Sequence, residues 1–333
     1  MTVLKQVKFD KINSVITEML PLEVRELQPH EVRVATKYMG VCGSEIHVLH
    51  DGHPFAKPPM VPGHEVCVEV LEVGSAVTGI QVGDPAVLDP IMACMECPAC
   101  KREQYNLCEP PQVAGFRAPG FGKSELVVPA HNVHVASKSI PMEQLALAEV
   151  IACGTHCVDR VPQENRGKVL IIGAGTIGLS VIQAAFIKNF KEIHVIEPDP
   201  GKRKLAEKYG AYATYAIGQL PEDERFDAVI DVVSTQATLA QSLVQVRAGG
   251  TVVIMGVPSK PVELNLGPVQ RFERDIRSSG MYVSKDWDVA VEWLKQGLFK
   301  TEDMITDVFA VEDADKAYQR AQEADSIKVL IKF

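Results

Sequence analysis

The sequence contains no run of 18 apolar residues, so no segment is long enough to cross a bilayer as a helix. Its opening, MTVLKQVKFDKINSVITEML, scatters lysines and acids through the stretch and lacks the apolar core of a signal peptide. Basic charge is not in excess either. Lysine and arginine total 34 against 43 aspartate and glutamate, a net charge of −9 with no basic cluster. Such a chain is a poor partner for nucleic acid or an anionic membrane. Internal repeats of 20–50 residues and low-complexity tracts are also missing. These absences lead us to expect a soluble, cytoplasmic protein, in a compartment where thiols stay reduced and bind metal.

What is present is enough for two folded cores. The length of 333 residues suggests two domains, and the hydrophobic content of 46% is ordinary for a globular protein. Four of the eight cysteines stand together as C-x2-C-x2-C-x7-C, at Cys94, Cys97, Cys100 and Cys108. That spacing lets one short loop place a thiolate at each corner of a tetrahedron, the arrangement of a structural zinc site. Disulfides do not suit a chain with no secretory features. A bacterial ferredoxin run would place its last cysteine after three residues and follow it with proline; here the gap is seven and Glu109 follows. The loop reads as a closed metal clip that stabilises structure and performs no chemistry.

To about Pro141 the chain consists of short strand-like runs broken by Gly and Pro, among them Glu31–Thr36, Val66–Val73 and Glu125–Val128. This reads as a mostly antiparallel β domain. From Met142 the composition turns helical. A βα alternation follows: strand Lys168–Ile172, helix Ile177–Ile187, strand Ile193–Ile196, helix Lys202–Tyr209, strand Ala228–Val233, helix Leu239–Val246 and strand Thr251–Met255. Alternation of this kind predicts a parallel sheet covered on both faces. After Gly280 come two amphipathic helical patterns, Trp287–Gln296 and Val311–Ala321, and a closing strand, Lys328–Lys332. The fold class expected is α/β, with residues 146–280 forming a doubly wound domain between two pieces, 1–145 and 281–333, of the β domain.

Gly173, Gly175 and Gly178 form G-x-G-x-x-G directly after a strand and at the opening of a helix. In that context the first glycine permits the tight turn. The second lets backbone approach a pyrophosphate at the positive helix end, and the third lets helix and strand pack closely. The next strand ends at Glu197, whose carboxylate would accept hydrogen bonds from ribose hydroxyls and repel a 2′-phosphate, favouring NAD over NADP. Lys202 and Arg203 oppose that preference, since a cation there would tolerate phosphate.

A second set of metal-ligand types is Cys42, in GVCGSEIH, with His64 and Glu65, in PGHE. Thiolate, imidazole and carboxylate leave a fourth position open for water or substrate. Taken singly, each has a plainer alternative: a small buried thiol, a satisfied core histidine, a surface acid.

The order of these motifs resembles the zinc-dependent medium-chain alcohol and polyol dehydrogenases over nearly the whole length. The resemblance rests on Cys-Gly-Ser-x-x-His at 42–47, Gly-His-Glu at 63–65, the four-cysteine lobe at 94–108 and the loop at 173–178, with Gly-Asp at 83–84 and Lys-Val-Leu-Ile at 328–331 in support. It implies a GroES-like catalytic domain enclosing a Rossmann domain. It also implies two zinc ions, NAD, a homodimer or homotetramer, and hydride transfer between NAD and a secondary alcohol of a small substrate. Cys42 and His64 match the catalytic zinc ligands, and Glu65 the following glutamate. Glu149, where ethanol-type enzymes carry cysteine, matches the sorbitol- and threonine-dehydrogenase-like branch, as does His156; Cys153 is a competing candidate. The resemblance gives Ser44 and His47 the proton relay. It places Ile177, Met255, Gly256, Val257, Met281 and Tyr282 beside the cofactor.

Three departures stand out. Val150 replaces the usual proline, Glu45 replaces the usual aspartate before the histidine of the first motif, and the segment 119–124 lacks the usual Gly-Gly-aromatic pattern. Polyols, sugar acids, cyclitols and hydroxy amino acids all carry suitable hydroxyls. Arg117 is either a partner for a carboxylate or a solvated surface group. The rival readings are a zinc-stabilised binding protein without turnover, an enzyme of simple alcohols, and a zinc-independent quinone reductase.

Overall fold

The computed structural model describes residues 3–109, 112–258 and 260–333. The chain forms two compact units. The first runs through Glu149 and takes in Val283–Gly297 and Thr301–Phe333; the second holds Val150–Tyr282 and Leu298–Lys300. The division falls four residues beyond the boundary drawn at 145, and Leu298–Lys300 returns to the second unit because Gln183 exchanges two hydrogen bonds with the Lys300 backbone, at 2.9 and 2.8 Å. Among the described residues no helix is long and apolar enough to cross a membrane.

The first unit opens with a hairpin, Val3–Lys11 paired to Ser14–Pro21. Asn13 turns it in the left-handed conformation that Asn tolerates better than most side chains. The main sheet then runs, in spatial order, Ile305–Ala310, Lys328–Lys332, Glu31–Gly40, Val66–Val73, Pro85–Leu88 and Val133–Val135, with Glu125–Pro129 also paired to Glu31–Gly40. All these pairings are antiparallel except that of Ile305–Ala310 with Lys328–Lys332. Val34, Met39, Val68, Val70, Leu88, Val128 and Ile331 fill the core, each such side chain contributing about 1.5–3 kcal/mol of burial. Two registers gather the chemically active side chains. Met39 lies opposite Val66, so the residues after one strand and before the other, Cys42 and His64, emerge side by side. Leu330 lies opposite Gly40, which brings Lys328 alongside Val41.

The second unit is a six-stranded, wholly parallel sheet in the spatial order Ala213–Tyr215, Glu192–Ile196, Lys168–Ile172, Phe226–Asp231, Val246–Ile254, Asp275–Ser278. Numbered along the chain this is 3-2-1-4-5-6, the dinucleotide-binding order, with its switch point between the first and fourth strands. Val169, Leu170 and Ile171 are fully buried, as the central strand of such a sheet requires.

Several elements depart from the sequence reading. The helical stretch from Met142 splits into Met142–Leu145 and Ala148–Asp159, because Leu147 N bonds back only three residues to the Gln144 carbonyl. The segment 311–321 starts as a 3-10 turn, Val311–Asp313, and its helix covers Ala314–Arg320. The N-terminal hairpin, the helix Gly43–Leu49 and the strands Asp275–Ser278 and Ile305–Ala310 were not singled out in the sequence.

Candidate metal centres and cofactor site

In the cysteine lobe the four sulfurs of Cys94, Cys97, Cys100 and Cys108 all lie within 4.8 Å of one another. Cys94 Sγ and Cys100 Sγ are 3.9 Å apart, close to the ~3.8 Å edge of a tetrahedron with ~2.3 Å metal–sulfur bonds. Backbone N–H groups donate to the sulfurs: Cys94 to Cys108 at 3.3 Å, Cys97 to Cys94 at 3.3 Å and Cys100 to Cys97 at 3.5 Å. The N–H of Cys100 holds the Cys97 thiol down at about 6, whereas burial pushes Cys100 up to about 12. None of the eight cysteines is in a disulfide. Four thiols converging at this spacing, under backbone donors that favour thiolates, fit a tetrahedral cation.

The second cluster is Cys42, His64 and Glu65, whose ligand atoms also lie within 4.8 Å of one another. Cys42 is the residue on which the helix Gly43–Leu49 starts. His64 and Glu65 lead into the strand Val66–Val73. His64 Nδ1 hydrogen-bonds Glu45 Oε1 at 2.9 Å, which assigns the Nδ1 proton and turns Nε2 to the cluster. Burial works against a charge on His64, but the flanking Cys42 and Glu45 outweigh it and raise the imidazole well above its ordinary value. An imidazole held between a thiol sulfur and a carboxylate suits a proton or a metal cation. Ser44 Oγ donates to Cys42 Sγ at 3.1 Å. His47 lies three residues further on the same helix, with its side chain exposed.

Glu65 is buried, and both its oxygens are bonded by Lys328 Nζ, at 2.8 and 2.6 Å; that ammonium also donates to the Val41 carbonyl at 3.0 Å. Gly40 makes room for this arrangement, since a Cβ there would fall 2.1 Å from Glu65 Oε2. Glu149 does not join the three-residue cluster. It is buried nearby, within electrostatic reach of both Lys328 and Asp89. Desolvation of Lys328 is outweighed by Glu65, Cys42 and Glu149, so the lysine stays above its ordinary value. Cys153 does not join the cluster either. Arg117 is exposed and stacks its guanidinium 4.7 Å over the Phe55 ring.

The glycine loop sits at the switch point, and each glycine has a distinct reason. Gly173 adopts φ +99°. A Cβ on Gly178 would lie 2.1 Å from the Gly173 carbonyl oxygen. Around Gly175 no other protein group comes within 4 Å of a built Cβ, and no side chain caps the adjoining helix Thr176–Ile187. The space and a helix N-terminus without a side-chain cap fit a dinucleotide pyrophosphate. Ile177, on the first turn, is half-buried. Glu197 ends its strand with both oxygens engaged, Oε2 accepting from Ala174 N at 2.7 Å and Oε1 from Asp199 N at 2.9 Å. Arg203 Nη1 donates to the carbonyls of Glu197 and Pro198, both at 2.7 Å. Lys202 donates its backbone N–H to Asp199, which caps the helix Pro200–Lys208. Met255, Gly256 and Val257 follow the strand Val246–Ile254 at the same sheet edge, Val257 being exposed. Met281 turns at φ +56°. The Tyr282 ring is fully buried.

Lys328 and Tyr318, which bond Glu65 and Glu45, were not singled out as site residues from the sequence. The one available signal was a lysine opening an otherwise apolar closing strand.

The sequence matches the model of the alcohol dehydrogenase GroES-like domain over residues 28–138 and that of the zinc-binding dehydrogenases over residues 176–296. It is 30% identical over 324 residues to "Probable D-xylulose reductase A" of Emericella nidulans, covering 91% of this chain and 89% of that protein. Among solved structures it resembles a zinc-binding dehydrogenase of Sinorhizobium meliloti 1021 bound to NADP, with TM-score 0.90, 27% identity and 100% of both chains covered. It is also similar to an alcohol dehydrogenase of Escherichia coli CFT073 complexed with NADH, with TM-score 0.91, 26% identity and 100% of both chains covered. With both family segments matched in order and a relative spanning 91% of its length, the chain belongs to the zinc-dependent medium-chain dehydrogenases, in their sorbitol-dehydrogenase-like branch, and is an oxidoreductase that works with a nicotinamide cofactor.

Proposed function

We propose that this enzyme oxidises, reversibly, a secondary alcohol of a polyol or sugar acid with NAD, using two zinc ions per chain. The observation that carries the reading is the convergence of Cys42, His64 and Glu65 around a common point in a chain related to a D-xylulose reductase. Cys94, Cys97, Cys100 and Cys108 hold the structural ion. Cys42 and His64 would hold the other, with Glu65 beside them and Glu149 buried nearby as a further carboxylate.

When bound, that zinc supplies Lewis acidity to a substrate hydroxyl and the nicotinamide accepts the hydride. The chain's own residues do the rest. Ser44 stands two residues from Cys42 and takes the alcohol proton. His47 lies on the same helix face at i+3 and passes it to solvent. Glu65, neutralised by Lys328, adds a carboxylate without leaving a bare buried charge. Two buried carboxylates near one ion suit vicinal diols, where a second hydroxyl can compete for the metal.

NAD is the favoured cofactor because Glu197 stands where ribose hydroxyls would bind. Arg203 is occupied with backbone carbonyls and is not free to meet a phosphate. We place the enzyme in the cytoplasm as a homodimer or homotetramer, with a small alcohol as its partner and neither nucleic acid nor membrane. The test is NADH formation over a panel of alditols, aldonates, cyclitols and threonine, with NADP in parallel. Oxidation of at least one vicinal polyol or aldonate, abolished by removing zinc, is expected. No turnover with any of them, or turnover in zinc-free protein, overturns the reading.

A further inference from the structure

The carboxylate of Glu45 is fully buried and has three donors around it. Oε1 accepts from Gly63 N at 2.8 Å and bonds His64 Nδ1 at 2.9 Å; Oε2 accepts from the Tyr318 hydroxyl at 2.6 Å. Tyr318 and His64 are buried as well. Glu45 is also the position where the family resemblance leads one to expect the shorter aspartate. The extra methylene, one C–C bond of about 1.5 Å, gives the carboxylate the reach to serve two partners on opposite sides.

We infer that Tyr318 is a positioning residue for the Cys42–His64 metal centre, acting through Glu45. The inference rests on the proposed zinc site. Tyr318 lies on the helix Ala314–Arg320 of the closing segment. Its ring is wedged edge-on against Phe9, with centroids 5.0 Å apart at 82°, and Gln322 Nε2 donates to its carbonyl at 2.8 Å. The hydroxyl therefore stands at a fixed point. By donating to Oε2 it fixes the plane of the Glu45 carboxylate. The carboxylate so held engages Nδ1 of His64 and leaves the Nε2 edge of the ring towards Cys42. Outer partners of this kind tune metal affinity about 10–100-fold. Glu45 and Tyr318 form a matched pair: the long acid has a use only if a donor waits on its far side.

Tyr318→Phe keeps the ring and its packing on Phe9 and removes one O–H. In zinc-replete full-length protein, titration with a competing chelator should show the Cys42–His64 site weakened about 10-fold, with the cysteine-lobe zinc unchanged as internal control. Cobalt substituted at the weakened site should show a changed visible spectrum. In a Glu45→Asp background, where the carboxylate no longer spans both partners, adding Tyr318→Phe should change affinity less than about twofold. Wild-type affinity and spectrum in Tyr318→Phe, equal weakening of both zinc sites, or a full-sized effect persisting in the Glu45→Asp background would each overturn the inference. Wild-type protein that takes up zinc only in the cysteine lobe would overturn the proposed catalytic site along with it.

Discussion

Lys328 Nζ lies 2.8 and 2.6 Å from the two oxygens of Glu65, and both side chains are sealed from solvent. An ion pair in such a place contributes little net stability while intact, but removing one partner strands the other. Lys328→Met should lower the unfolding free energy by about 3–5 kcal/mol, read from the denaturant midpoint. Adding Glu65→Gln should restore much of it, because no bare carboxylate is left. A single variant as stable as wild type would show that water reaches Glu65.

The cysteine lobe should behave as a removable staple. Cys100→Ser takes one thiolate from the tetrahedron, so metal analysis should fall from two zinc ions to one, with a lower melting temperature. Cys42→Ser should also leave one zinc, but with near-normal melting and no turnover. Two zinc ions retained in either variant would show that the altered cysteine is not a ligand.

Asp89 provides a stability signature in pH. Burial pushes its carboxyl up to about 7, with the charge of Glu149 adding to the shift and the Ile91 N–H opposing it. The folded state then holds a proton that the unfolded state releases near the ordinary value of 3.8. Stability from this group is intact below about pH 4 and declines as pH rises to about 7, by at most on the order of 4 kcal/mol. Asp89→Asn should flatten that part of a stability–pH curve. An unchanged slope would mean Asp89 ionises normally.

Glu149→Ala should cut turnover about 10–100-fold and leave cofactor binding and the cysteine-lobe zinc intact. It should also move the Asp89 transition to lower pH, since a repelling charge has gone. An alanine variant that oxidises polyols at the wild-type rate would remove Glu149 from the metal centre and reopen the simple-alcohol reading with Cys153.

Glu197→Ser should narrow the preference for NAD over NADP, measured as the ratio of kcat/KM values. Because Glu197 also ties down the Ala174 N–H, the KM for both cofactors should rise. A wild-type preference for NADP would refute the assignment.

The motifs that were legible in the sequence are those in which chemistry dictates residue type at short spacing. Gly173 and Gly178 could be assigned reasons from their place between strand and helix, and those reasons are a positive φ and a 2.1 Å clearance. The parallel sheet was legible because its strands are buried on both faces and read as apolar runs. The N-terminal hairpin was not singled out, because the alternation of buried Val7 and Phe9 with Lys8 and Asp10 is too short to stand out. Lys328 and Tyr318 were illegible for a different reason. Their partners Glu65 and Glu45 lie more than 260 residues away in the chain, and only the sheet register and the closing helix bring them together.

The closing strand also sets an order of assembly during synthesis. Cys42, His64 and Glu65 leave the ribosome more than 250 residues before Tyr318 and Lys328. Until they arrive, the buried acids Glu45 and Glu65 have no countercharge or hydroxyl to meet, and the early segment cannot close over them. The nucleotide-binding unit is almost entirely continuous, Val150–Tyr282, and is free to fold while the first unit waits. Chains truncated before Lys328–Lys332 should therefore carry a folded nucleotide-binding unit and an unfinished metal centre, which makes the arrival of that strand a checkpoint of maturation.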